Sequence, residues 1–85
     1  MRILLVEDDR ILRITTSKLL TRWADDNIVD VAEDGESAIR MMQETEYDLV
    51  FLDNELPDIR GHDVALRIRQ ELLHIVDPIV KTASP

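Results

Sequence analysis

The chain has no cysteine. That excludes a disulfide scaffold, a cysteine-ligated zinc finger and thiol chemistry. It also suits a reducing compartment, so the expected location is the cytoplasm. Basic residues are a minority: ten Lys and Arg stand against eighteen Asp and Glu, for a formal charge of -8. Binding of DNA or RNA depends on basic groups against phosphate, so direct nucleic-acid binding by this segment is not expected. An anionic membrane surface is disfavoured for the same reason. No apolar run approaches the ~18–20 residues of a membrane span, and the apolar stretch at the N-terminus is too short for a signal peptide before acids interrupt it. No repeat, low-complexity tract or linker divides the chain. The 85 positions are 45% apolar and 33% charged, which fits one small globular domain with a modest core.

The apolar blocks change in type along the chain. Ile3 to Val6 is a short continuous run, the pattern of a strand buried on both faces, and it stops at Glu7-Asp8-Asp9. Leu12, Thr16, Leu19, Leu20 and Trp23 fall at helical spacing, which predicts a helix over roughly 10–22. Ile28 to Ala32 reads as a second strand, with Asp30 suggesting an edge position. Asp34-Gly35-Glu36 opens a second helix to about Glu44 with Ala38, Ile39 and Met42 inward. Leu49 to Leu52 is a third apolar run. Val64, Ile68, Leu72 and Ile75 give a third helix, and Ile79-Val80 a fourth strand. Trp23 and the Met41-Met42 pair read as packing residues, His62 and His74 as surface residues, and Gly61 as part of a loop.

The order β-α-β-α-β-α-β implies an open parallel α/β sheet. In such sheets the ligand site lies beyond the carboxyl ends of the strands. Glu7, Asp8 and Asp9 follow the first strand, Asp53 follows the third and Thr82 ends the fourth. Acids gathered at one rim repel, and a cation relieves the repulsion. Magnesium suits oxygen ligands of this kind. Asp53 beside such a site is placed to act as a carboxylate nucleophile toward phosphorus. The bland reading of Glu7-Asp8-Asp9 is a set of acids complementing a helix N-terminus; Asp53 and Thr82 in register favour the metal site.

Leu5-Val6-Glu7-Asp8-Asp9, then Leu52-Asp53-Asn54-Glu55-Leu56-Pro57 with Gly61, then Lys81-Thr82-Ala83, resembles the response-regulator receiver domain of two-component signalling. The resemblance runs from Met1 to Ser84. It implies a flavodoxin-like, doubly wound (βα)3β sheet and a single receiver domain over 1–85. It also implies Asp53 as phosphoacceptor, with Mg2+ held by Asp8, Asp53, Glu7 and the main-chain carbonyl of Glu55. Thr82 becomes the switch hydroxyl, and Asn54 and Ala83 flank the phosphate pocket. Asp9 is expected to cap a helix instead of binding metal. The implied partner is a histidine kinase or phosphotransfer protein, docking by analogy on the first helix around Arg10, Arg13 and Thr16.

The family carries five strands and five helices, and a lysine on its fifth strand. These 85 residues supply four strands and three helices, so a C-terminally truncated receiver is expected. Lys81 is a poor substitute, since neighbours in a strand point to opposite faces, so self-catalysed phosphoryl acceptance on Asp53 is expected only where the family's lysine segment is supplied. One sheet face covered by a single helix should leave apolar side chains of the central strands wet. The expected outcome is a homo-oligomer, such as a dimer, or completion by a longer chain through the open edge of the fourth strand. Two other functions compete. A pseudo-receiver keeps the fold as an interaction module without phosphorylation. A phosphohydrolase, with Glu55 as acid/base, lacks any further catalytic segment in this stretch, so the chain is not expected to be an enzyme.

Overall fold

The computed structural model describes residues 1–52, 56–58, 63–64 and 66–67, and the backbone of 79–82. The elements are β1 (Arg2–Val6), α1 (Arg10–Trp23), β2 (Ile28–Ala32), α2 (Gly35–Glu44), β3 (Leu49–Leu52) and β4 (Ile79–Thr82). All strand pairs are parallel, in the order β2-β1-β3-β4. The expected open parallel α/β sheet is thus present. Asp30 does lie on an outer strand, and β4 is outermost on the other side among the described strands. Of the expected third helix, 63–64 and 66–67 are helical and Val64 is buried. Ile68, Leu72, Ile75, Gly61, His62 and His74 lie outside the described residues.

Alternation along the strands divides the core between two faces. Leu4, Val6, Ala32, Val50 and Leu52 join Ala38, Ile39 and Met42 of α2, together with Tyr47 and Val64, in the larger cluster. Ile3 and Leu49 join Leu20 of α1 on the other face, with Val29 and Phe51 packed alongside. β1 is buried on both faces, as its unbroken apolar run requires. Both helices begin at an aspartate that accepts a free backbone N–H: Asp9 from Leu12 at 3.0 Å and Asp34 from Ser37 at 2.8 Å.

Two packing expectations are corrected. The central strands are not wet on the α1 face: Ile3, Leu5 and Leu49 are buried and Phe51 is half-buried. The exposed apolar surface sits on α1 itself. Leu12, Leu19 and Trp23 are 52%, 63% and 64% exposed, so Trp23 is not a packing residue among the described contacts. The helix turns the Arg13–Ser17–Leu20 row toward the sheet, about one residue step (~100°) from the apolar row. Leu20 must enter the Ile3–Leu49 cluster and Arg13 must reach the loop after β1, and together they set that rotation. Met42 is buried and Met41 packs against the core, as expected.

At the start of the sheet, Tyr47 donates its hydroxyl to Asp30 Oδ2 at 2.8 Å, and Arg2 donates to the same oxygen at 3.0 Å. Burial, and then the hydrogen bond to the Asp30 carboxylate, push the Tyr47 hydroxyl up to about 12. An unfolded chain ionises its tyrosine near 10. The folded state therefore holds its proton longer, and this contribution is complete below pH 10 and is lost as pH rises from 10 through 12. Tyr47 is the single tyrosine, so tyrosinate absorbance reads it directly. Titration of the native protein is expected to show a midpoint well above that of the urea-unfolded chain. Coincident midpoints would refute the buried pair.

Candidate functional site: the carboxyl rim of the sheet

The strands end in register. Ala32 pairs with Val6, Val6 with Leu52, and Leu52 with Thr82. Neighbouring strands lie about 4.8 Å apart. The last residues of β1 and β3 therefore lie side by side, with Thr82 opposite the last residue of β3. Glu7 follows Val6, and Asp53 follows Leu52.

Glu7 is buried, and its N–H extends the ladder to Ala32 O at 3.0 Å. Its Oε2 accepts the Asp9 N–H at 3.2 Å. Asp9 caps α1, as expected, and stands apart from the metal question. Asp8 is exposed, and its carboxylate has no hydrogen bond or ion pair among the described residues. Among the described residues no three acids or histidines are grouped closely enough to hold a metal by themselves. Glu7 and Asp8 are thus one part of the expected rim. Asp53, Asn54, Glu55 and Ala83 lie outside the described residues, and Thr82 is described in its backbone register alone.

Arg13, Glu33 and Asp58, which the sequence did not assign to the site, organise this rim. Arg13 donates Nη1 to the carbonyls of Glu7 and Asp8 at 3.1 and 3.3 Å, and pairs through Nη2 with Glu33 Oε1 at 3.4 Å. Helical side chains lean toward the helix N-terminus, so a long cation in the second turn can reach back to the preceding loop. That signal was legible. The third is Asp58, whose two carboxylate oxygens accept the N–H groups of Gly35 and Glu36 at 2.8 and 2.9 Å. It binds the loop after β3 to the start of α2, where the helix dipole favours an anion. Arg67 adds an ion pair to Glu36 at 3.0 Å. Nothing in the local sequence indicates that the acid after Pro57 reaches a helix 22 or 23 residues earlier. Asp58→Ala is expected to cost about 0.5–2 kcal/mol, read as a lowered urea midpoint; an unchanged midpoint would show that the clamp carries no stability.

The chain matches the response regulator receiver domain family over residues 3–84. The two-component response regulator ORR41 of Oryza sativa subsp. japonica is 36% identical over 85 residues, covering 98% of this chain and 65% of that protein. Among solved structures, the response regulator protein TrrA from Thermotoga maritima in complex with Mg(2+)-BeF superposes with a TM-score of 0.79 at 34% identity, covering 95% of this chain and 64% of that one. TrrA in complex with the histidine kinase ThkA gives a TM-score of 0.82 at 34% identity, covering 95% of this chain and 66% of that one. The chain therefore spans just under two thirds of the length of these relatives. No described helix is long and apolar enough to cross a membrane. Parallel topology, register at the carboxyl rim and the family match over nearly the whole length agree: the chain belongs to the receiver domain family of two-component response regulators.

Proposed function

We propose that this receiver takes a phosphoryl group onto the Asp53 carboxylate, with Mg2+, from a phosphohistidine on a histidine kinase or phosphotransfer protein. The observation that supports this reading is the strand register, with Val6, Leu52 and Thr82 aligned and the acids Glu7 and Asp8 directly beyond β1. A carboxylate oxygen of Asp53 attacks phosphorus. The new P–O bond forms as the P–N bond to the donor imidazole breaks, and the imidazole keeps that electron pair and takes up a proton. Thr82 hydrogen-bonds a phosphoryl oxygen and passes the change to a protein partner, and Asn54 and Ala83 flank the phosphate.

The donor set fits a hard divalent cation: it is all oxygen, and the Asp8 carboxylate is exposed and unpartnered among the described residues. Asp8, Asp53 and the Glu55 carbonyl would hold Mg2+, with Glu7 adding charge behind them. When bound, the ion offsets the charge on the transferring phosphoryl oxygens. TrrA, similar at 34% identity, has been captured with Mg(2+)-BeF and with a histidine kinase, which supports both cofactor and partner. Its role is that of a signalling module.

The test is incubation with phosphoramidate or acetyl phosphate, read by intact mass. In a chain that carries the family's lysine segment, one hydroxylamine-labile phosphoryl group is expected with Mg2+ and none with EDTA. If none forms under either condition, the chain is an interaction module that keeps the receiver fold without the switch.

A further inference from the structure

We propose that Arg13 is a positioning residue for the acidic rim, a clamp that sets the main chain of Glu7 and Asp8 so that the Asp8 carboxylate faces a divalent cation. This inference rests on the metal reading above. The Arg13 side chain is mostly covered, with 16% of it exposed. One of its nitrogens serves two successive carbonyls, of Glu7 at 3.1 Å and Asp8 at 3.3 Å. The other holds Glu33, just beyond β2, at 3.4 Å. The clamp therefore joins α1, the loop after β1 and the residue just beyond β2.

The geometry is unusual in its electrostatics. A cation set against an acidic rim opposes a second cation there by simple charge. Two features reduce that opposition: the guanidinium is turned onto backbone carbonyls, and it is paired with Glu33. What remains is its geometric effect. Holding these two carbonyls fixes the peptide units on either side of the Asp8 Cα, and so the direction in which Asp8 leaves the main chain. Glu7 is held as well, through its own bond to the Asp9 N–H at 3.2 Å. Outer groups that orient metal ligands typically change affinity by roughly 10–100-fold when removed.

Charge and geometry predict opposite signs, and that makes the inference testable. Arg13→Met removes both charge and fork. Arg13→Lys keeps the charge and the aliphatic stem but loses the planar fork that spans the carbonyls and Glu33. Mg2+ affinity is measured by calorimetric titration, and phosphoryl incorporation as a function of Mg2+ concentration. Both variants are expected to bind Mg2+ more weakly, by roughly tenfold for Arg13→Met. Incorporation at saturating Mg2+ should return to near the wild-type rate, a split that general loss of stability does not produce. Tighter binding by Arg13→Met with no change in Arg13→Lys would overturn the clamp in favour of simple charge. Unchanged affinity in both would overturn it as well. If Arg13→Met does not show the native circular dichroism, Arg13→Lys alone decides. A wild-type chain that binds no Mg2+ would sink the metal reading itself, an outcome distinct from wild-type binding that the variants leave intact.

Discussion

Asp53→Asn is expected to reduce magnesium-dependent phosphoryl incorporation to background. The substitution keeps the shape of the side chain but removes its negative charge, and with it the nucleophile, since a neutral amide oxygen is a far weaker attacker of phosphorus. It also removes one of the oxygens that would hold the cation. Asp9→Asn serves as its counterpart. Asp9 accepts the Leu12 N–H as the α1 cap, and asparagine caps as well as aspartate does, so incorporation should stay within about twofold of wild type. The pair separates a specific acceptor from a general need for negative charge near the strand ends. Residual incorporation in Asp53→Asn equal to that of Asp9→Asn would mean that the acceptor lies elsewhere.

Leu4→Ala should remove a large fraction of the protein's stability. Leu4 is fully buried on the larger core face, in a strand flanked by β2 and β3. Truncating such a leucine costs about 2–5 kcal/mol through lost burial and a residual cavity. The whole stability of a small domain is about 5–15 kcal/mol. Leu19→Ala removes the same atoms from a side chain that is 63% exposed, and it is expected to shift stability by no more than about 0.5 kcal/mol. Urea unfolding followed by circular dichroism measures both. Equal costs at the two positions would show that the Leu19 face of α1 is covered in solution.

Much of this architecture could be read from the order of residues. The run from Ile3 to Val6 is unbroken because β1 is covered on both sides, so its apolar pattern has no polar face to reveal. The α2 stripe of Ala38, Ile39 and Met42 reads directly as its buried side. Asp9 as a cap follows from its place just before the helix. The rotation of α1 could not be read in the same way. Of the predicted stripe of Leu12, Thr16, Leu19, Leu20 and Trp23, Leu20 is buried and Thr16 half-buried as expected, yet Leu12, Leu19 and Trp23 are exposed and Arg13 turns toward the loop after β1. Hydropathy records what a side chain prefers, whereas the rotation follows from two anchors on different strands and loops.

The alternation of strands and helices, the acids at the strand ends and the family to which they point are all legible in the order of residues. Those features are local: each depends on residues a few positions apart, through periodicity, capping and charge. It took the packed fold to show that Arg13 clasps the carbonyls of Glu7 and Asp8, that Asp58 binds the start of α2, and that β1, β3 and β4 end level with one another. These depend on the distance between segments brought together by parallel pairing. A side chain's reach across that distance is a property of the packed sheet, and no window of the chain contains it.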